Sequence, residues 1–258
     1  MSVLRWILVI PFLLPAGSIA GQAVGSLEVT GRVKIAGKAE KLVRKRFYLF
    51  HGGLESNKAL VDKMKSAEII SRECFYCTQK ASPELIAWLG AEDCESPYCR
   101  SISTDDVKKV PEFLVAYQKG LKQFRNQPAV AGKWLTTNLA ANIRDGFYKQ
   151  RKASIETVLS GVKPLQSSMT DSVSVRAIFI DIPLMLESGK TTDTFLISNV
   201  VPIEFRGKSY LWACEVELGK AKKVTLALQA PDPGKTVKKC EVIVKDLSAC
   251  AAGSCAAK

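Results

Sequence analysis

The sequence predicts an α+β fold, in which a seven-stranded antiparallel β-sandwich carries a large helical, cysteine-containing insertion between its second and third strands. Hydrophobic residues alternate with polar ones at both ends of the chain, over residues 27–50 and 173–245, which is typical of half-buried strands. Between them, residues 54–159 show helical spacing. Two strands before the helices and five after them give the usual number for a small two-sheet sandwich. A rival remains open, an N-terminal α+β domain beside a separate five-stranded C-terminal domain.

Residues 1–23 have the pattern of a cleavable secretory signal peptide. Arg5 precedes an apolar stretch, Trp6–Leu14, and small residues follow it. The apolar stretch is about half the ~20 residues that a membrane-spanning helix needs, and it contains a proline. We therefore expect cleavage near Ala20 or Ala23, no transmembrane segment afterwards, and a secreted or periplasmic mature protein of about 235 residues.

Residues 24–53 are predicted to supply the first two strands of the sandwich. The first has its apolar side chains at alternate positions, and Gly37-Lys38 marks a turn. The second runs from Leu42 to Phe50 and ends at His51-Gly52-Gly53.

Leu27–Phe50 (LEVTGRVKIAGKAEKLVRKRFYLF), with Gly31-x-Val33 followed by Gly37, resembles the opening hairpin of the carboxypeptidase regulatory-like, transthyretin-type β-sandwiches. The resemblance covers about a tenth of the chain. It implies an exported, non-catalytic binding or structural module, and it carries over no site residues.

Residues 54–165 form the predicted helical insertion. Leu54–Lys65 has an apolar side, and Ser82 followed by Pro83 is a typical N-cap and first position of a helix ending near Leu89. Pro111 begins a further helix, and a last helical stretch from Trp134 is expected to bend at Gly146. The apolar stripe predicted for the helix after Pro111 comprises Val110, Leu114, Tyr117, Leu121 and Phe124.

Residues 166–246 follow as the C-terminal β-region, which begins with a polar linker at Gln166–Asp171. Alternation predicts five strands, separated by Gly- and Pro-containing turns, at 173–182, 193–203, 208–218, 222–230 and 236–245. A cysteine-containing tail, 247–258, completes the chain.

Eight cysteines in an exported chain indicate disulfide bonds. Their number allows 105 pairings, so the connectivity stays open at this stage. The disulfide candidates are Cys74, Cys77, Cys94, Cys99, Cys214, Cys240, Cys250 and Cys255.

The first four cysteines leave two alternatives open. Cys74-x2-Cys77 and Cys94-x4-Cys99 have a spacing close to that of a zinc-binding module with four sulfur ligands. Cys74 and Cys77 could instead form the reactive pair of a thiol-disulfide oxidoreductase. The export signal favours disulfides over both.

The remaining cysteines lie in the C-terminal part of the chain. Cys214 and Cys240 fall on opposed strands, which predicts a buried bridge between the two sheets near Trp212. Cys250 and Cys255 are expected either to pair with each other or to tie the tail to the body of the protein.

No catalytic or cofactor signature is present, so we expect a protein that is not an enzyme and has no cofactor or metal. The mature chain has a single histidine, His51, and His51-Gly52-Gly53 lacks the G-x-S-x-G nucleophile motif that accompanies such a loop in lipases. Glu92, Asp93 and Glu95 surround Cys94 and are interpreted as a solvated acidic loop.

The net charge of +12 is concentrated in residues 32–46 and 119–152. Such a surface attracts anionic partners, here an anionic envelope component or another protein, and no nucleic acid is expected. The plainer interpretation is a basic, well-solvated surface. The candidate contact face lies on one side of the last predicted helix and comprises Arg144, Tyr148, Arg151 and Lys152. The oligomeric state is left open.

Overall fold

The computed structural model describes residues 23–35, 37–91, 93–220, 222–229, 239–247 and 250. The chain is a mixed α+β protein with 34% helix and 31% strand, which confirms the predicted fold class. Among the described residues, none of the helices combines the length and the hydrophobicity needed to cross a lipid bilayer.

The strands lie on both sides of the helical region in the chain. They are β1 (Val24–Thr30), β2 (Arg32–Ile35), β3 (Lys38–Lys41), β4 (Arg46–His51), β5 (Gln166–Met169), β6 (Arg176–Pro183), β7 (Thr192–Ser198), β8 (Ile203–Phe205), β9 (Lys208–Gly219), β10 (Lys223–Ala227) and β11 (Cys240–Asp246).

The described helices all lie between β4 and β5. They are α1 (Lys58–Ser66), α2 (Arg72–Thr78), α3 (Pro83–Ala91), α4 (Thr104–Lys109), α5 (Pro111–Gln123), α6 (Pro128–Lys133), α7 (Leu135–Asn138) and α8 (Ala141–Val158). The predicted cap of α3 is confirmed, because the Ser82 hydroxyl accepts a hydrogen bond from the Leu85 amide at 3.1 Å.

The strands form three sheets. The largest has the order β11-β9-β7-β4-β5, with β8 also paired to β9, and a three-stranded sheet has the order β10-β1-β6. The third is the β2-β3 hairpin. Within the three-stranded sheet, β1 runs antiparallel to β6 but parallel to β10.

One core lies between the six-stranded and three-stranded sheets. Leu27 and Phe179 extend into it from the smaller sheet, and Phe195, Trp212 and Val216 from the larger one. The strand predicted at 208–218 is confirmed as β9, and one face of it lies in this core. The residues of that face are Tyr210, Trp212, Cys214, Val216 and Leu218.

The opposite face of the six-stranded sheet packs against helices. Phe50 and Leu211 on this face join a cluster with Val61 and Met64 of α1 and Val158 of α8. The six-stranded sheet is therefore buried on both faces, so the molecule has a layer of strands, a second layer of strands and a layer of helices.

The remaining helices have a core of their own. Tyr76 of α2, Leu85 of α3, Phe113 of α5 and Phe147 of α8 are buried together in it. In α5 the predicted stripe is confirmed only in part. Val110 is buried and Tyr117 packs against this core, but Leu114 is exposed, and the helix is buried along Phe113, Ala116 and Gly120. The small residue is needed there, because a Cβ on Gly120 would lie 3.2 Å from the Cα of Ala131 in α6.

The sheets differ from the predicted seven-stranded antiparallel sandwich in three ways. Eleven strands are described, one pair of them is parallel, and the helices follow the fourth strand rather than the second. The supposed linker at Gln166–Asp171 contains β5, which pairs with β4.

The predicted first strand is divided at Gly31 between two sheets. The Gly31 amide donates to the Val175 carbonyl at 2.8 Å, and its carbonyl accepts from the Leu42 amide at 2.7 Å. A Cβ at this position would lie 3.0 Å from the Thr170 methyl group, so the glycine permits close chain crossing. The alternation of apolar and polar residues continues through both β1 and β2, so the sequence pattern does not show that the strand is divided at Gly31.

Candidate functional site

A cleft of about 520 Å³ opens where β4, the loop after α3 and helix α8 meet. This volume lies within the range of pockets that hold small ligands. The cleft is lined by Val43, Arg44, Lys45, Arg46, Tyr48, Asp93, Cys94, Glu95, Ser96, Tyr98, Cys99, Arg100, Tyr148, Arg151, Lys152, Ile155, Glu156 and Met169.

The floor of the cleft comes from the paired strands β4 and β5. Arg46 lies directly opposite Met169, so the two side chains share one face of the sheet. Tyr48 is two residues further along β4 and lies on that same face. Burial raises the pKa of the Tyr48 phenol, while the nearby charges of Arg46 and Arg151 lower it.

An ion-pair cluster closes the base of the cleft. The Glu95 Oε1 atom lies 2.8 Å from the Nζ of Lys45 and 2.6 Å from a guanidinium nitrogen of Arg151. Burial of Glu95 by itself would raise its pKa, but the Arg151 and Lys45 charges outweigh this effect and lower the pKa to about 2. Glu95 is therefore ionised at neutral pH, and it neutralises much of the charge of its two partners.

The Cys94–Cys99 disulfide closes the loop that carries Glu95 and Tyr98. Several side chains hold the backbone of this loop in place. Arg44 donates to the carbonyls of Tyr98, at 3.0 Å, and of Cys99, while Tyr76 donates from its hydroxyl to the carbonyl of Glu95 at 3.0 Å. The loop is therefore fixed at both ends, so it forms a rigid wall.

The position of Arg44 is set by a tight turn before β4. Its φ is 57°, in the left-handed region, and its amide donates to the Thr170 carbonyl at 3.0 Å. The buried Thr170 hydroxyl accepts from the Lys45 amide at 2.9 Å and donates to the Leu42 carbonyl. This turn places Arg44 at the disulfide loop and Lys45 at the base of the cleft.

The cations of the cleft are not equally compensated. Arg44 and Arg46 make their hydrogen bonds to backbone carbonyls and to the Ser167 hydroxyl, and neither pairs with a carboxylate among the described residues. Lys152 has only a 3.7 Å contact with Glu156, and both side chains are about two-thirds exposed. An exposed pair of this kind contributes little. These three side chains, Arg44, Arg46 and Lys152, are called the open cations below.

The Arg100 guanidinium is compensated, in contrast. It makes two hydrogen bonds to the Asp106 carboxylate, at 2.9 and 3.1 Å, and it lies 4.2 Å from the centre of the Trp88 ring. This guanidinium therefore has a structural role at the edge of the cleft.

The predicted anionic-partner face is divided by the structure. Tyr148, Arg151 and Lys152 of α8 line the cleft, but Arg144 does not. Arg144 instead contacts Asp145 at 2.9 Å and donates to the Thr137 carbonyl at 2.9 Å. Three of the four predicted face residues are thus among the five residues of α8 that line the cleft, but helical spacing could not show where the cleft ends.

Sequence reasoning missed the part of the site outside α8. The interpretation of Glu92, Asp93 and Glu95 as a solvated loop is wrong for the two that are described: Glu95 joins the ion-pair cluster, and Asp93 pairs with Arg72 at 3.2 Å. The sequence does contain a signal for this pairing, because the acidic residues around Cys94 could be expected to pair with the basic residues that precede β4. The sequence alone does not show that the two meet.

All seven cysteines among the described residues are in disulfide bonds. Cys94 pairs with Cys99, Cys74 pairs with Cys250, and Cys77 is disulfide-bonded as well. Cys255 lies outside the described residues. The Cys74–Cys250 bond shows that the tail is tied to the body of the protein.

These bonds contradict both alternatives for the first four cysteines. A zinc site would need four free thiolates, and a Cys74–Cys77 redox pair would need those two sulfurs to bond to each other. The described part of the chain contains no cluster of three or more His, Cys, Asp or Glu side chains arranged to bind a metal ion.

Cys214 and Cys240 do form a disulfide, but it does not join two sheets. The two residues lie directly opposite each other on the neighbouring strands β9 and β11, with their Cα atoms 4.0 Å apart. The predicted inter-sheet bridge is therefore wrong, because β9 and β11 belong to one sheet.

His51 lies outside the cleft. Its ring Nε2 is 3.2 Å from the Asp193 carboxylate, which also accepts a hydrogen bond from the Met185 amide at 2.7 Å. The backbone and the packing explain why glycine occupies the next two positions. Gly52 has a φ of +83°, and Gly53 packs against the Glu215 carboxylate.

Searches against protein-family models, curated proteins and solved structures found no match to this chain.

Proposed function

We propose that this protein is an exported, disulfide-stabilised binding module that holds an anionic partner in the cleft between β4, the disulfide loop and α8. One observation carries the proposal. The cleft contains the three open cations, Arg44, Arg46 and Lys152, whose charges are not matched by strong carboxylate partners among the described residues. An anionic ligand would supply the missing partner.

The geometry of the cleft supports this proposal. Arg44 is held by a fixed turn and a disulfide-closed loop, and Arg46 lies on a paired strand. Because these groups are already positioned, little conformational entropy is lost when a ligand binds. The net charge of +12 would also steer an anion towards the molecule over a long range.

Binding is proposed rather than catalysis. Glu95 lies at the base of the cleft with its side chain 25% exposed, and its pKa of about 2 keeps it ionised, so it is a poor proton donor at neutral pH. Its two cations hold it in a structural cluster instead.

Export and domain organisation are part of the same proposal. The disulfides are compatible with an oxidising compartment, and the proposed signal peptide, 1–23, lies almost wholly outside the described residues. We propose that the helical region is an insertion into a β-framework, since β4 and β5, which flank it, are neighbours in one sheet. The resemblance to the carboxypeptidase regulatory-like sandwiches stays a prediction.

Charge reversal in the cleft tests the function. The double variant Arg46→Glu/Lys152→Glu should bind dextran sulfate at least tenfold more weakly than the wild type, as measured by calorimetry at low salt. Its matched control is Lys119→Glu/Lys122→Glu, which makes the same charge change on exposed positions of α5 outside the cleft.

The two variants separate a specific cleft from a generally basic surface. If the cleft is the site, the control should retain affinity within about threefold, because only long-range attraction is lost. An equal loss in both variants would show that net charge alone attracts the anion and would refute the proposal. Unfolding curves should first show that both variants are folded.

A further inference from the structure

We propose that the natural ligand of the cleft is an acidic saccharide, a chain of sugar rings that carry carboxylates. This inference rests on the anion-binding function proposed above. It is based on a second feature of the cleft, its tyrosines, which a site for a small inorganic anion does not need.

Three tyrosines line the cleft, one from each of its walls. Tyr48 comes from β4, Tyr98 from the disulfide loop and Tyr148 from α8. Tyr98 and Tyr148 are 51% and 58% exposed, although large aromatic side chains are usually well buried. Their rings are therefore available to contact a ligand.

A phenol ring is suited to a sugar. It presents an apolar face that can pack on the C–H face of a pyranose, and a hydroxyl that can bond to the groups at the ring edge. Val43, Ile155 and Met169 add apolar surface between the tyrosines. A simple inorganic anion would gain nothing from such a lining.

The open cations are suited to carboxylates. Two of the three are arginines, Arg44 and Arg46, whose planar guanidinium groups can bind a carboxylate through two parallel hydrogen bonds. Arg44 and Arg46 flank Lys45, whose own charge is already used by Glu95. The cleft thus combines aromatic surface with two guanidinium groups that have no carboxylate partner among the described residues.

The size of the cleft fits a short segment of a saccharide. A volume of about 520 Å³ accommodates about two or three sugar rings and is far larger than one carboxylate requires. Because the cleft is open to solvent, a longer chain could continue beyond it.

Single-stranded nucleic acid is the competing ligand class, since it also uses stacking aromatics beside cations. The export proposed for this chain disfavours nucleic acid as its partner. The experiment must nevertheless distinguish the two ligands directly.

Calorimetric titrations with matched probes test the inference. The probes are trimers of galacturonate, glucuronate and mannuronate, the same trimers with their carboxylates esterified, triglutamate, and a short oligothymidylate. At least one free uronate trimer should bind, and its ester and triglutamate should bind at least tenfold more weakly.

Tyrosine variants supply a second readout. Tyr98→Ala and Tyr148→Ala should each weaken uronate binding about five- to tenfold, whereas Tyr148→Phe should retain most of it because the ring face remains. Trp134→Ala is the matched control, since Trp134 is also about half exposed but does not line the cleft.

The possible failures have different meanings. If triglutamate binds as well as the best uronate and the tyrosine variants have no effect, the saccharide is refuted while the anion-binding function stands. Tighter binding of oligothymidylate than of every uronate also refutes the saccharide. If neither these anions nor dextran sulfate bind, both proposals fail.

Discussion

Gly146 of α8 lies against the tip of the Phe75 ring in α2, and a Cβ atom on this glycine would lie 2.8 Å from the Phe75 Cζ. The Phe75 ring has no easy way to move, because it packs edge-on against Tyr76 and Phe147. The glycine thus allows α2 and α8 to approach closely. This close approach explains why glycine occupies position 146 better than the predicted bend in the helix does.

Gly146→Ala is therefore expected to destabilise the protein. Overpacking costs about 1–3 kcal/mol, which exceeds the gain of up to about 1 kcal/mol in helix propensity. Gly90→Ala in α3 is the control, because no atom lies within 4 Å of the added Cβ, and it should be neutral or stabilising. Urea unfolding of both variants measures the difference, and equal effects would show that the Phe75 contact is unimportant.

Removing the Glu95 charge should destabilise the fold. Glu95→Gln leaves Lys45, whose side chain is 5% exposed, and Arg151 without their anion, and we expect a loss of about 2–3 kcal/mol at pH 7. Glu156→Gln is the control, since its pair with Lys152 is exposed and should contribute almost nothing. A loss below about 0.5 kcal/mol in Glu95→Gln would contradict the structural role of the cluster.

Glu95 should also contribute to acid sensitivity. Its pKa is about 2 in the folded protein against an ordinary value of 4.5, so the folded state favours the ionised form. The resulting stability is fully present above pH 4.5 and is lost as the pH falls through 2, by about 3 kcal/mol in total. The free energy of unfolding, measured from pH 6 to pH 2.5, should fall less steeply in Glu95→Gln than in the wild type. Parallel curves would contradict this assignment.

Thr170 should be sensitive to loss of its hydroxyl alone. Thr170→Val keeps the shape of the buried side chain but removes the partner of the Lys45 amide and the Leu42 carbonyl, which costs about 1–3 kcal/mol. Thr225→Val on the exposed face of β10 is the control and should be nearly neutral. Thermal unfolding compares the two, and a neutral Thr170→Val would show that the turn does not depend on this hydroxyl.

Two disulfides should differ in their effects on stability and binding. Cys94→Ser/Cys99→Ser opens a loop with a sequence separation of 5, so the chain-entropy model predicts a loss of only about 2 kcal/mol. The same variant frees the wall that carries Tyr98, so its affinity for dextran sulfate should fall several-fold. Cys214→Ala/Cys240→Ala, with a separation of 26, should lose about 3.5 kcal/mol and leave binding unchanged in calorimetry. The reverse pattern would place the binding site elsewhere.

The sequence predicted most reliably those features that depend on a single helix or strand. The face of β9 that includes Trp212 and the cap of α3 at Ser82 both follow from local patterns, and both are confirmed. The burial of α5 was not predictable to the same degree, because small residues such as Gly120 mark close packing that a hydrophobic pattern does not register.

Features that join distant segments could not be predicted. The Cys74–Cys250 bond spans a sequence separation of 176, and the pairing of Lys45 with Glu95 joins two loops. Nothing in a local pattern selects such partners from the many that charge or sulfur chemistry would allow. The candidate cleft was therefore predictable on α8 and unpredictable on its other two walls.

The parallel pairing of β1 with β10 sets the order in which this chain can fold. β1 begins at Val24, and its partners β6 and β10 end at Pro183 and Ala227. A chain that emerges N-terminus first must keep β1 unpaired until most of its length has appeared. The helices, and the pairing of β9 with β7 and β8, join residues that are closer in sequence and can form earlier. Closure of the three-stranded sheet should therefore be the slow, late step of folding. Under the export proposed above, the chain would cross a membrane before it folds, and this delay would be an advantage.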